Sequence, residues 1–513
     1  MKMRAVIRAD AGPQIGLGHV MRCLALAQAW RAEGGEVSFL TATDLPVLRP
    51  RLEVEGDLQI LQASPPGGFA DAQETARMVQ EIGARWVVLD GYHFTAGFQR
   101  LIKDGGSRLI VIDDYGHAAP YRADFILNQN MHAHERLYGD REDYTRLLLG
   151  CRYALLRREY WSWQGWRREI SETSSKILVT LGGADPNRVT LKVLEALEQV
   201  KADDLEITVI VGGVNSWCHH LSNRAEKYPF PLRILKNVDD MPRLLAWADL
   251  AITAGGSTCW EMAFMGLPGL VISCADNQRP VAENLQSGGV ALNLGWHEHL
   301  AVRQITQAVD RLLAEPETRR QLSRRGQKLV DGEGAARVVM QMRNEPFRLR
   351  RVRPEDCRAI WSLANDPEVR QASFSQEPIP WENHLLWFNR VSKDPGQLFF
   401  LAVDHQDAPV GQVRFELDNH RAIIHVSLAP NQRGRGYGRQ IIDAGARQIF
   451  RQTETAVIDA FIKMDNVRSI RAFEAAGFKK AGVRIVRGRK TWHYSLNRLE
   501  IFSNVFNGKR NFP

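Results

Sequence analysis

The feature that most constrains this chain is an alternation that runs twice and then stops. Short apolar runs separated by helical patterns fall at residues 4–10, 36–41, 86–90, 109–113 and 125–128. After a charged, Trp-rich stretch at 157–175 the pattern restarts, with runs at 176–183, 206–213, 232–235, 250–256, 269–274 and 291–294. Strands interleaved with helices require right-handed crossovers, so each series predicts a doubly wound, Rossmann-like α/β domain around a parallel sheet covered on both faces.

From about residue 347 the texture changes. A strand at 347–353 and helices at 355–365 and 381–393 precede runs at 398–403, 409–417 and 422–428, joined by polar turns at 404–407 and 418–421. That is an antiparallel meander beside helices, an α+β domain. The expected boundaries are 1–156, 157–345 and 346–500, with a tail at 501–513. A chain of 513 residues is well beyond the size at which one core stops growing.

Composition narrows the class. With 44% hydrophobic and 25% charged residues the chain is neither disordered nor fibrous. Its net charge of +8 is spread without a long basic run, which fits anionic small molecules and requires no nucleic acid. The six cysteines form no CxxC pair, so neither a zinc site nor a disulfide framework is indicated. Arg8 and Asp10 interrupt the first apolar run before it could act as a signal core, and no stretch reaches the roughly 18 apolar residues of a membrane span. A cytoplasmic protein without membrane partners is expected.

Three loops carry chemistry. The first strand ends in Ala11-Gly12-Pro13-Gln14-Ile15-Gly16-Leu17-Gly18 before a helix that begins near His19, with Arg22 a turn further on. Such a loop lets backbone N–H groups meet an anion at a helix N-terminus; by itself it is equally a tight turn, with His19 an incidental cap. In the second series Ala254-Gly255-Gly256-Ser257-Thr258 leads to Glu261, then Gly266-x-Pro268, then Asn277-Gln278. Gly255 to Thr258 offer N–H groups and hydroxyls to a diphosphate, and Glu261 is spaced to accept from ribose hydroxyls. In the third domain Arg433-Gly434-Arg435-Gly436-Tyr437-Gly438 precedes an amphipathic helix, again the parts of a diphosphate cradle.

The second loop resembles the UDP-binding half of GT-B proteins, especially the glycosyltransferase that makes lipid II. Within that group, Gly16-x-Gly18-His19-x-x-Arg22, Asp90-Gly91-Tyr92, 126–130 (Ile-Leu-Asn-Gln-Asn), 153–157 (Tyr-Ala-Leu-Leu-Arg) and 181–186 (Leu-Gly-Gly-Ala-Asp-Pro) resemble the PseG family of UDP-sugar hydrolases. The resemblance spans roughly residues 4–335. It implies hydrolysis of UDP-2,4-diacetamido-2,4,6-trideoxy-β-L-altropyranose to UDP and free sugar in pseudaminic acid biosynthesis, with UDP-sugar ligands at Gly16, Gly18, Arg22, Gly256, Ser257, Thr258, Glu261, Asn277 and Gln278. Water must be activated at the anomeric carbon, a task suited to His19, with Tyr92 as a sugar-side partner. Tyr92 reads equally as a buried aromatic at a strand end, and Asp90 reads as a structural cap. UDP is already a good leaving group, so no metal is required.

The third loop, with Glu355-Asp356 after the opening strand and Asp465-Asn466-x-x-Ser469, Phe473 and Gly477-Phe478 further on, resembles the GNAT N-acyltransferases. That resemblance covers 347–498 and implies acetyl-CoA as co-substrate, held by Leu428, Arg433, Gly434, Arg435, Gly436, Gly438, Asn466 and Ser469. Backbone N–H groups near Ser427 or Leu428 would polarise the thioester carbonyl. Phe473 stands where many members carry a tyrosine that protonates the thiolate, which leaves Tyr437, Tyr494 or water. For a base, His425 and Glu416 are candidates, though each also reads as a solvated strand residue. The Arg353-Pro354-Glu355-Asp356 opening resembles the PseH family, which acetylates a UDP-linked 4-amino sugar one step before the hydrolase. A bifunctional enzyme is the expectation; its rivals are a glycosyltransferase fused to an acetyltransferase of another amine, or a chain in which one half only binds nucleotide or CoA.

Overall fold

The computed structural model describes residues 3–12, 15–44, 46–62, 65–182, 185–202, 204–212, 221 and 225–500. Of the residues named above, Pro13, Gln14, Gly183, Ala184, Gly213 and the tail 501–513 lie outside the described residues. The chain divides into two compact units, Met1–Met342 and Arg343–Pro513.

Unit one begins β1 (Arg4–Ala9), α1 (Gly18–Ala32), β2 (Glu36–Thr41), α2 (Arg49–Glu55), β3 (Asp57–Ile60), α3 (Phe69–Ile82), β4 (Trp86–Asp90), α4 (Ala96–Asp104), β5 (Arg108–Ile112), β6 (Phe125–Asn128) and β7 (Arg146–Leu149). The strands form one sheet in the order β3-β2-β1-β4-β5-β6-β7, every neighbour parallel. Runs such as Trp86–Asp90, buried at every position, suit a sheet covered on both faces. The strand order reverses between β1 and β4, so the loops leaving their C-terminal ends part and open a crevice. Helix α1 is buried from His19 to Trp30 apart from Met21, as a helix apolar around most of its circumference must be.

The second half continues β8 (Lys176–Thr180), α5 (Val189–Leu197), β9 (Glu206–Val211), β10 (Leu232–Lys236), α6 (Met241–Trp247), β11 (Leu250–Ala254), α7 (Thr258–Phe264), β12 (Gly269–Ser273), α8 (Arg279–Ser287), β13 (Leu292–Trp296), α9 (Val302–Ala314), α10 (Pro316–Leu329) and α11 (Gly334–Arg343). Its sheet, β10-β9-β8-β11-β12-β13, is again parallel. The strands β3 and β7, absent from the sequence reading, are four-residue edge strands that each begin on a charged residue, Asp57 and Arg146, and so lack the continuous apolar run that marks the inner strands.

The chain does not stay in the second half to its end. Helix α11, placed within 157–345 by sequence, packs Ala335, Val338, Val339 and Met342 into the first-half core beside Trp30 and Trp86, and the Trp86 indole N–H donates to the Met342 carbonyl at 3.1 Å. The helix enters over the backbone of Tyr153 and Ala154. A Cβ at Gly334 would lie 2.2 Å from the Ala154 carbonyl oxygen, so only glycine fits.

Unit two comprises β14 (Arg348–Arg351), α12 (Cys357–Ala364), α13 (Pro367–Ala372), α14 (Trp381–Val391), β15 (Gln397–Val403), β16 (Pro409–Asp418), β17 (Arg421–Leu428), α15 (Tyr437–Gln452), β18 (Val457–Lys463), α16 (Val467–Ala475), β19 (Lys479–Val486) and β20 (Arg489–Asn497). The sheet order is β14-β15-β16-β17-β18-β20-β19. All neighbours are antiparallel except β17 and β18, which run parallel and pair only from Arg421–Val457 to Ile423–Asp459 before separating. One face of the sheet buries Ile458, Ala460 and Ile462 with Ile441, Ile449 and Phe473 of α15 and α16. The other packs Phe399 and Leu401 against Ile360 of α12 and Phe388 of α14.

Candidate active sites

In unit one the polar residues gather at the C-terminal ends of β4, β5 and β6. His19, on the first turn of α1, donates from Nδ1 to Asp90 Oδ1 at 2.6 Å. Arg22 lies behind it, with Nε 2.6 Å from Asp90 Oδ2 and Nη1 2.8 Å from Asp114 Oδ1. Asp114 also accepts from the Tyr92 hydroxyl at 2.8 Å and from Asn130 Nδ2 at 2.8 Å. The rings of His19 and Tyr92 meet edge to face, 4.8 Å apart.

Two carboxylates and one guanidinium are thus buried together. Burial alone pushes Asp90 and Asp114 up, but Arg22 outweighs it and holds both carboxyls below the usual range. Burial and Asp114 hold the Tyr92 phenol above its ordinary value, so it remains a donor. The cluster keeps one uncompensated negative charge beside His19. With Nδ1 committed to Asp90, Nε2 on the opposite ring edge carries the lone pair, and a proton taken there is stabilised by Asp90.

The second half reaches this cluster at two points. Asn277 Nδ2 donates to the Tyr92 hydroxyl at 2.8 Å, and a Cβ at Gly18 would lie 4.0 Å from Ser257 Oγ. The glycine loop before α1 therefore faces the loop before α7. Helix α1 has no side-chain cap, so its first N–H groups remain available to an anion.

The structure gives several of the expected site residues partners within the protein. Asp90 does not cap a helix; it anchors both His19 and Arg22. Arg22, expected to bind the nucleotide sugar, has its guanidinium occupied by Asp90 and Asp114. Glu261, expected to reach ribose hydroxyls, is buried against Arg157 Nη1 at 3.0 Å. Gln278 accepts the Cys274 N–H through Oε1, and the Gly256 N–H goes to the Ala254 carbonyl. Gly16, Ser257 and Thr258 line the facing loops. Asp114 and Asn130 were missed as site residues. Asp114 follows β5 by two residues, at the same sheet end where Asp90 closes β4, and the Asp113-Asp114 pair after an apolar run was the available signal.

In unit two the loop after β17 holds Gly434 and Gly436 at φ of 75° and 80°, a left-handed geometry glycine adopts without strain. It delivers α15 with no side-chain cap, next to Gly438 and the exposed Arg435. Arg433, expected on the diphosphate, pairs with Asp366 and Glu368 at the start of α13. Asn466, expected on the pantetheine arm, uses Oδ1 to accept the Ser469 N–H and cap α16. Leu428 ends β17, its carbonyl accepting from Arg433 at 3.3 Å. Phe473 is buried. The Tyr494 hydroxyl donates to Glu474 at 2.8 Å, and burial with that carboxylate pushes it up to about 12. His425 Nε2 lies 3.1 Å from Glu416.

Residues 176–338 match the model of the glycosyltransferase family 28 C-terminal domain, and residues 347–479 match that of the acetyltransferase (GNAT) domain. The chain is an enzyme that joins a glycosyltransferase-28-like half of GT-B type to a GNAT acetyltransferase. It is 24% identical over 522 residues to the uncharacterized protein MJ1062 of Methanocaldococcus jannaschii, covering 96% of this chain and 100% of that one. The spore coat polysaccharide biosynthesis protein SpsG of Bacillus subtilis is 31% identical over 198 residues, 38% of this chain and 57% of its own length. The UDP-2,4-diacetamido-2,4,6-trideoxy-beta-L-altropyranose hydrolase of Campylobacter jejuni is 26% identical over 206 residues, 39% of this chain and 67% of its own length. Among the described residues no helix is long and apolar enough to cross a membrane.

Proposed function

We propose that unit one hydrolyses a UDP-linked diacetamido sugar and that unit two acetylates the 4-amino group of its UDP-linked precursor with acetyl-CoA. The observation that carries the first half is the His19–Asp90 pair set beside an uncapped helix start and faced by Ser257. The Campylobacter jejuni hydrolase supports the choice of substrate.

Water held at His19 Nε2 gives up a proton as its oxygen attacks the anomeric carbon; the C–O bond to the diphosphate breaks and UDP departs. Asp90 stabilises the imidazolium, and a positioned base of this kind contributes about 10²–10⁴-fold. The N–H groups at the start of α1, with Ser257 and Thr258 opposite, are aimed where diphosphate charge develops. Asn277 and Tyr92 tie the two halves across the cleft.

In unit two the separating strands β17 and β18 and the Gly434–Gly438 loop are the features that support acetyl-CoA binding. Placing both activities on one chain raises the effective concentration of the intermediate.

The match to a glycosyltransferase domain favours a second reading, transfer of the sugar to an acceptor. Incubation of the full chain with acetyl-CoA and the UDP-4-amino sugar, followed by NMR, separates them: the hydrolase yields UDP and free diacetamido sugar without any acceptor. Absence of UDP release until an acceptor is added overturns the hydrolase reading.

A further inference from the structure

On the face of the unit-two sheet turned away from α15 and α16, alternation places Arg421, Ile423, His425 and Ser427 of β17 together with Asp459, Phe461 and Lys463 of β18 and Thr491, His493 and Ser495 of β20. His493 lies directly opposite Phe461, one position on this face beyond Asp459, where pairing between β17 and β18 ends. It therefore stands at the lip of the opening between those strands.

Its setting is that of an oriented imidazole. His493 Nε2 donates to Asp459 Oδ1 at 2.8 Å. Asp459 is in turn gripped by Arg421, with Nη2 at 2.6 Å and Nε at 2.8 Å. The imidazole stacks on Phe461 at 5.1 Å between centroids and 22° between planes. Side-chain exposures of 13% for His493 and 7% for Asp459 contrast with 45% and 40% for His425 and Glu416. A buried, hydrogen-bonded carboxylate fixes a tautomer far better than one loosely placed in solvent.

We infer that His493, oriented by Asp459, is the base that deprotonates the amine acceptor of the acetyl transfer. This rests on the acetyl-transfer half of the proposed function. The incoming ammonium gives one proton to His493 Nδ1, which passes it to solvent. The neutral amine attacks the thioester carbonyl, a C–N bond forms, the C–S bond breaks, and the second N–H proton reaches the departing thiolate by way of water. The base works from the face opposite Phe473, and water supplies the thiolate proton that a tyrosine at that position would otherwise give. Charged and titratable groups that the registers place on this face are Arg421 and His425 from β17, Lys463 from β18, Lys479 and Arg484 from β19, Arg489 from β20, Arg414 and Glu416 from β16, and, further off, Arg348 and Arg350 from β14.

The test compares the full chain with His493→Gln and Asp459→Asn, using acetyl-CoA with the UDP-4-amino sugar and, in parallel, with spermidine and kanamycin as simple amine probes. The wild-type rate should rise through a histidine-like limb as pH increases. His493→Gln should lose that limb and at least about 30-fold in kcat, a general-base effect being 10²–10⁴-fold, while the acetyl-CoA KM and the CoA-induced rise in Tm stay the same. Asp459→Asn should lower kcat and displace the limb. If His493→Gln keeps both rate and limb, or if the limb vanishes in His425→Ala instead, the proposal is overturned. Turnover of the simple amines but not the sugar nucleotide defeats the substrate reading and still tests His493; no turnover of any amine defeats both.

Discussion

His19 and Asp90 are separated by 71 residues, yet their Nδ1 and Oδ1 atoms meet at 2.6 Å. The same carboxylate accepts from Arg22 through its other oxygen. One buried aspartate thus sets both the tautomer of the proposed base and the position of the cation behind it.

Asp90→Asn should retain the fold of the crevice but present the wrong donor to His19. UDP release should fall by about 10²–10⁴-fold in kcat, with acetylation by unit two unaffected. His19→Ala should abolish release just as selectively. The check is UDP formation and CoA formation measured on the same preparations; unchanged UDP release in His19→Ala removes the residue from its role.

Tyr92→Phe removes a hydroxyl that donates to Asp114 and accepts from Asn277. Asp114 keeps Arg22 and Asn130, so the loss of stability should be about 0.5–1.5 kcal/mol, read by urea unfolding. Because the hydroxyl also joins the two halves, the KM for the nucleotide sugar should rise.

Asp90 and Asp114 both ionise more readily in the folded state than in the unfolded chain. A carboxyl lowered on folding contributes stability that is fully present above its unfolded value of roughly 4 and is lost as pH falls below it. Unit one should therefore hold its stability through neutral pH and weaken on acidification. Asp114→Asn should be less stable than wild type near neutrality, with the gap narrowing in acid, as measured by unfolding midpoints across pH.

Gly334→Ala places a methyl group where the Ala154 carbonyl already sits. Forcing α11 away should cost about 1–3 kcal/mol, typical of overpacking, and lower the Tm of unit one. A wild-type Tm would show that the helix shifts freely.

Arg433 and Arg435 should separate cleanly. Arg433→Ala breaks the brace to Asp366 and Glu368 and should lower Tm with and without CoA. Arg435→Ala, at an exposed loop position, should raise the acetyl-CoA KM while leaving Tm in place. Thermal shifts and acetyl-CoA titrations on both variants decide it.

Much of the fold is legible in the sequence. Continuous apolar runs such as Trp86–Asp90 and Leu250–Ala254 can satisfy their backbone only in a buried sheet, and their spacing demands crossover helices. The strands of the antiparallel meander were recognisable from alternation and short polar turns. The glycine loops before α1, α7 and α15 were equally visible, because backbone conformation at glycine is a local property.

Pairing was not local. Nothing around Asp90, Asp114, Asp366 or Asp459 says which cation or imidazole each will reach, since those partners arrive from 34 to 92 residues away. Arg22 and Arg433 look like anion ligands in sequence, and each is also held by carboxylates from distant elements, Asp90 and Asp114 for the first, Asp366 and Glu368 for the second. The return of α11 to the first core is likewise a long-range event, burying Val338, Val339 and Met342 beside Trp30 and Trp86. Sequence by itself determined the inner strands of the two parallel sheets, the meander β15 to β17 and the glycine loops; tertiary packing decided the remaining strands and which charges meet, and with that which histidines lie against buried carboxylates.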